Sequence, residues 1–311
     1  MDTQALGRST LSVSRLAYGC MRISGTWNPD HLTDELKQRG KEALYAAYEA
    51  GYTLFDHADI YGRGTCESIH GELLRESPDL RDQTIIATKC GIRFPGDPEP
   101  HSPHRFDFSR EHIVQSCEQS LNRLGVDCID LYQLHRPDFL MQPEEVAEAF
   151  ANLHTQGKVK HFGVSNFSPS QFNLLQSALP HPLVVNQVEI HLGRLACFED
   201  GTLDRCLQHQ ITPLAWSPLG GGWLGEGGTV PEGKPHAAAL LTRMDELADG
   251  YGVTRTEIAL AWLLQHPAGI IPIVGSVRPE RIMGAVHALS IDLGREEWYR
   301  LLVLARGENL P

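Results

Sequence analysis

Short apolar runs rich in β-branched residues alternate with amphipathic stretches from one end of the chain to the other. The runs at 15–21 (RLAYGCM), 53–58 (TLFDHA), 84–89 (TIIATK) and 129–135 (IDLYQLH) have strand length and composition. So do those at 159–166 (VKHFGVSN), 184–190 (VVNQVEI), 212–218 (TPLAWSP) and 270–276 (IIPIVGS). Between them, apolar residues recur at helical spacing over 35–50, 110–124, 143–156, 170–177 and 281–289. Proline or serine opens several of these helices, at Pro143, Ser168-Pro169 and Pro279, where a missing N–H or a side-chain cap costs nothing.

Strands that alternate with helices pair in parallel through right-handed crossovers. Eight such units in 311 residues predict an α/β fold, a closed (β/α)8 TIM barrel, rather than an open sheet. No linker or break in composition divides residues 1–311, so one domain is expected. The leading segment LGRSTLSVSRL predicts a β-hairpin capping the barrel bottom. A polar insertion, 91–108, follows the third strand and is expected to overhang the opposite end, and a second long loop, 219–236, follows the seventh.

Composition narrows the function classes. The chain is 41% hydrophobic and 21% charged, as a globular domain with a sizeable core would be, and its net charge of −12 disfavours nucleic acid or an anionic membrane as partner. The polar start MDTQALGRST and the short apolar runs predict neither a secretory leader nor a membrane span. Seven cysteines without a CxxC suit reduced thiols and a cytoplasmic location.

Reactive groups of a barrel stand at the C-terminal ends of its strands. Those ends carry Gly19–Met21, Asp56, Lys89, His135, Ser165-Asn166, Gln187, Trp216-Ser217 and Gly275-Ser276, with Tyr61 five residues past Asp56. An acid, a tyrosine, a lysine and a histidine together suit proton donation to a carbonyl. Tyrosine, with a pKa near 10, is a poor acid at neutral pH. A neighbouring lysine would favour its phenolate, an aspartate would orient the lysine, and a histidine would align the carbonyl oxygen. Two other readings use the same residues: a Schiff-base lysine, and a structural Asp56–Lys89 ion pair.

The segments FDHADIYG, ATK, DLYQLHRPD, GKVKHFGVSNF, NQVEI, LAWSPLGGG and IPIVGSVRPERI together resemble the aldo-keto reductase superfamily, nearest to its bacterial YdhF-like oxidoreductases. The resemblance implies NADPH-dependent reduction of a small-molecule aldehyde or ketone. Tyr61 would be the general acid, Lys89 and Asp56 would tune it, and His135 would orient the substrate. Ser165, Asn166 and Gln187 would hold the nicotinamide carboxamide, and Trp216 would stack on the ring where most relatives carry tyrosine. Gly19, Cys20 and Met21 would lie beside the cofactor. Ser217, Pro218, Leu219, Gly220, Gly221 and Gly222 would run along the pyrophosphate. Gly275, Ser276, Arg278 and Arg281 resemble the 2′-phosphate site at a helix start, although Gly275 replaces a common basic residue there, so NADH is the less expected cofactor rather than an excluded one. The resemblance also admits a nucleotide-bound regulatory subunit with slow catalysis.

The remaining candidates are weaker. Trp27 either lines the substrate pocket or anchors its loop. His57 is read as a packed core histidine, and His101 and His104 as solvated loop residues, so no metal is expected. GGGWLG at 220–225 fits the Rossmann pattern G-x-G-x-x-G, with Asp245 about 20 residues on, but no dinucleotide half-domain surrounds it.

Overall fold

The computed structural model describes residues 1–233 and 237–310, so residues 234–236 of the long loop after the seventh barrel strand lie outside the described residues. The chain opens with a hairpin of β1 (Thr3–Ala5) and β2 (Ser12–Ser14), paired antiparallel with Gln4 opposite Val13. Its turn packs on the barrel bottom. The Gly7 amide donates to Thr212 Oγ1 at 2.7 Å, and a Cβ on Gly7 would lie 2.2 Å from the Val184 carbonyl oxygen, so only glycine fits there.

Eight parallel strands then close the barrel: β3 (Ala17–Gly19), β4 (Leu54–Asp56), β5 (Ile85–Cys90), β8 (Ile129–Leu134), β9 (Val159–Ser165), β10 (Leu183–Glu189), β11 (Thr212–Trp216) and β12 (Ile271–Val274). Each pairs with the next in sequence, and β12 returns to β3. The outer helices are α1 (Asp34–Glu49), α2 (Thr65–Glu76), α3 (Arg110–Leu124), α4 (Pro143–Thr155), α5 (Pro169–Ala178), α6 (Thr202–His209), α7 (Ala237–Tyr251), α8 (Arg255–Leu264), α9 (Pro279–Gly284) and α10 (Arg295–Arg306). Among the described residues no helix is long and apolar enough to cross a membrane.

The early strands are shorter than the hydrophobic runs that predict them. Strand β3 stops at Gly19, and Cys20–Arg22 curl into a 3-10 turn. The insertion 91–108 contains a second hairpin, β6 (Ile92–Arg93) with β7 (Arg105–Phe106). Arg93 ties it together by ion pairs to Asp97 at 3.0 Å and Asp107 at 2.7 Å. The helix expected over 281–289 is shorter too: α9 ends at Gly284, and Ala285–Ser290 continue as a 3-10 turn.

Helices α2 and α3 are locked to β5 by a buried charge. Glu67 is fully buried, accepts from Thr88 Oγ1 at 2.5 Å, and pairs with Arg123 Nε at 2.7 Å. Gly71 lets the two helices approach, since a Cβ there would lie 2.3 Å from the Arg123 carbonyl oxygen.

Candidate active site

Parallel pairing puts Asp56 beside Ala87 and Lys89 beside Gln133, so consecutive strands deliver their last residues to one end of the barrel. Lys89 is completely buried, and its ammonium donates to Asp56 Oδ1, Asp56 Oδ2 and the His57 carbonyl, each at 2.7 Å. Asp56 accepts a further bond from Gln187 Nε2 at 2.8 Å. A buried ion pair survives desolvation only when its protons and lone pairs are satisfied in this way.

Tyr61 leans over the pair, its ring centroid 5.1 Å from Lys89 Nζ. The His135 ring meets it edge-on, 5.9 Å away at 82°. The structure therefore gathers all four residues, with one change to the expected electrostatics. All three ammonium protons of Lys89 are spent on other acceptors, and burial pushes the Tyr61 hydroxyl well above its usual pKa, with the Asp56 charge adding to it. Tyr61 thus keeps its proton in the resting site. Burial, with the charges of Lys89 and Arg136, holds His135 far below its ordinary value, so its imidazole is neutral. Its Nδ1 is buried without a partner.

Beside these four lies a chain of fixed amides. Asn166 Nδ2 donates to Ser165 Oγ at 2.8 Å and to the His135 carbonyl at 3.1 Å, and Ser165 Oγ donates to the Gln187 carbonyl at 2.8 Å. Trp216 Nε1 donates to Asn166 Oδ1 at 3.0 Å, which fixes the indole plane. Asn166 (φ 63°) and Ser217 (φ 50°) are both left-handed, a conformation that costs non-glycine residues roughly 1–2 kcal/mol each and gathers at functional sites.

A cavity of about 480 Å³ opens over this floor. Among its walls are Asp56, Tyr61 and His135, then Ser165, Asn166 and Gln187. Gly19, Met21 and Trp27 border it on the β3 side, and Trp216, Ser217, Pro218, Leu219, Gly221 and Gly222 on the β11 side. Gly275, Ser276 and Arg281 complete it after β12. Four expected residues stand apart. Lys89 reaches in from beneath. Cys20 turns into the core beside His57 and His70, and Gly220 is covered by the Trp223 indole. Arg278 caps α9 on the outside.

The residues present fit a nicotinamide dinucleotide. A Cβ built on Gly221, Gly222 or Gly275 would meet nothing within 4 Å, so bare backbone borders open space along one wall, and the Arg281 guanidinium stands at its end. The fixed amides of Asn166 and Gln187 and the Trp216 ring suit a carboxamide-bearing aromatic ring. This loop is not a Rossmann turn: it follows the seventh barrel strand, and Asp245 pairs on the surface with Arg255 at 2.7 Å.

Several wall residues escaped the sequence reading: Arg22, Ile60, Ile92, Arg136, Glu226 and Thr256. Arg22 and Arg136 had an available signal, their places directly after Met21 and after His135. His57 is a core histidine as expected, its Nε2 2.8 Å from His70 Nδ1, but its carbonyl serves the site through Lys89.

The Aldo/keto reductase family model matches residues 15–304. Oxidoreductase YdhF of Escherichia coli is 43% identical over 263 residues, covering 85% of this chain and 86% of that protein. A 6-dehydroglucose reductase of Novosphingobium aromaticivorans is 40% identical, covering 98% of this chain and 96% of its own. The crystal structure of the thermostable aldo-keto reductase Tm1743, in complex with the inhibitor epalrestat, superposes with a TM-score of 0.82 at 29% identity, covering 98% of this chain and all of that one.

Proposed function

The chain belongs to the aldo/keto reductase family and is an NAD(P)H-dependent oxidoreductase acting on carbonyl compounds; from that membership we propose that it reduces a small aldehyde or ketone to the alcohol with NADPH, Tyr61 giving the proton. The observation that carries the reading is the buried Asp56–Lys89 pair beneath a protonated Tyr61, with neutral His135 across from it. When bound, the reduced nicotinamide supplies a hydride from C4 to the carbonyl carbon. Asn166, Gln187 and Trp216 would orient its ring, and the loop 217–222 would run along its phosphates, where the N–H groups of Gly220 and Gly222 are already spent on the Ser217 and Leu219 carbonyls. Ser276, Arg278 and Arg281 supply the hydroxyl and charges that suit a 2′-phosphate, which favours NADPH over NADH.

On the substrate side, Tyr61 and His135 hold the carbonyl oxygen between two hydrogen-bond donors. Tyr61 passes its proton as negative charge grows on that oxygen, and the Lys89 charge beneath it stabilises the phenolate left behind. The names of two relatives make 6-dehydroglucose a sensible substrate to test.

The test is steady-state turnover of an aldehyde panel with NADPH and NADH side by side, in wild type and Tyr61→Phe. Loss of a general acid is expected to lower kcat by about 10²–10⁴-fold, with NADPH binding retained in a fluorescence titration. Near-normal turnover by Tyr61→Phe would remove Tyr61 from the role.

A further inference from the structure

One charge in the cavity is left over, and it bears on the substrate of the reduction proposed above. Arg136 follows His135 at the end of β8, is half-buried, and lines the cavity. Its guanidinium lies 5.4 Å from the centre of the Trp216 ring. Among the described residues it has no carboxylate partner and makes no hydrogen bond. The Asp56–Lys89 pair is neutral as a unit and His135 is uncharged, so Arg136 leaves a positive charge on the β8 side of the cavity, next to His135.

The cofactor phosphates do not account for it. In the barrel order β12-β3-β4-β5-β8, the strand bearing Arg136 lies four steps from β12, diametrically across the mouth from Arg278 and Arg281. Two more cations, without ion pairs among the described residues, stand at the entrance. Arg22 lines the same cavity, and Arg63 lies 4.5 Å over the Phe94 ring in an open groove of about 770 Å³ that shares Trp27 with it. The facing acids are Asp30 in the groove and Glu226 on the loop after β11. In a chain of net charge −12, three unpaired arginines around one entrance form a local funnel for anions. A half-buried guanidinium without a partner is costly until an anion fills its fork, and its planar geometry matches a carboxylate.

We propose that the carbonyl substrate carries a carboxylate, and that Arg136 is the specificity residue that binds it, with Arg22 and Arg63 drawing it in. The reaction is unchanged: hydride goes to the carbonyl carbon, the Tyr61 proton to the oxygen, and the carboxylate is a handle that takes no part in bond making.

The test compares succinic semialdehyde with its methyl ester, methyl 4-oxobutanoate, under saturating NADPH. The pair has the same reacting group and differs chiefly in charge, so the ratio of kcat/KM values isolates the handle. Wild type is expected to favour the acid, and Arg136→Gln to lower that ratio by about tenfold or more, mainly through KM for the acid. Arg136→Lys should restore part of it, because charge returns without the fork. Added salt should depress kcat/KM for the acid and leave that for the ester flat. A wild-type ratio at or below one, or a ratio that Arg136→Gln leaves unchanged, overturns the proposal. Absence of any NADPH-dependent turnover of either compound would instead count against the carbonyl-reductase reading itself.

Discussion

Asp56→Asn isolates what the buried pair contributes. Lys89 has three acceptors at 2.7 Å, and two of them are the Asp56 oxygens. Across about 3 Å at an effective dielectric of about 20, the pair attraction is roughly 5 kcal/mol. Losing one partner of such a buried pair costs about 3–5 kcal/mol of stability, because the remaining charge is stranded. Burial already holds the Lys89 pKa below its ordinary value, against the upward pull of Asp56. Removing Asp56 lets burial act alone and lowers it further.

The sign of the pH effect follows. The unfolded lysine binds a proton up to about pH 10.4, while the native amine releases it earlier, so the unfolded state binds more protons in that interval. Stability of Asp56→Asn should therefore rise with pH, by at most about 1.4 kcal/mol per unit, and its deficit should shrink from pH 6.5 to pH 8.5. Urea unfolding at both values reads this directly. The double variant Asp56→Asn/Lys89→Met, with no stranded charge, should be more stable than the sum of the single losses implies. A deficit that is constant with pH, together with additive single losses, would refute the stranded-charge account.

Three further outcomes test the surrounding structure. Burial holds His57 and His135 well below their usual pKa and His70 at about 3, so unfolding takes up three protons below about pH 6.5; stability should then fall by about 4 kcal/mol per pH unit on acidification, and urea midpoints independent of pH between 5 and 6.5 would contradict it. Arg123→Met leaves Glu67 buried and unpaired, and calorimetry should show a loss of about 3–5 kcal/mol where a surface pair would cost under about 1. Gly71→Ala should destabilise by about 1–3 kcal/mol in urea despite the better helix propensity of alanine, because its Cβ has a backbone carbonyl 2.3 Å away.

The barrel was legible because its signal is periodic. Eight apolar runs separated by amphipathic helices admit few topologies, and a parallel pairing rule converts their order into adjacency. The same rule made Asp56, Lys89 and His135 visible, since a strand end is a position that the sequence marks. Residues that reach the site by other routes left no such mark. Ile92 arrives on a two-residue strand of an inserted hairpin, and Glu226 and Thr256 come from a loop and a helix start. Cys20 shows the converse: its position at a strand end placed it beside the cofactor, but the chain turns into a 3-10 segment at that residue and carries the thiol into the core.

The division of charge in the pocket explains why lysine and tyrosine need not touch in the resting site. If Lys89 donated a proton bond to Tyr61, one Asp56 oxygen or the His57 carbonyl would lose its partner in a place closed to water, at a cost of about 1–3 kcal/mol. Keeping the ammonium fully occupied and 5.1 Å from the phenol ring avoids that cost before substrate arrives. It leaves Tyr61 neutral, the state that the proposed acid must hold before it acts. In the proposed reaction the positive potential would be felt as charge develops on the phenolate, so the interaction would be stronger in the transition state than in the ground state, the condition for lowering a barrier rather than merely tightening binding. Arg136, directly after His135 and without an ion pair among the described residues, adds to that potential and stands ready to take a negative group from outside.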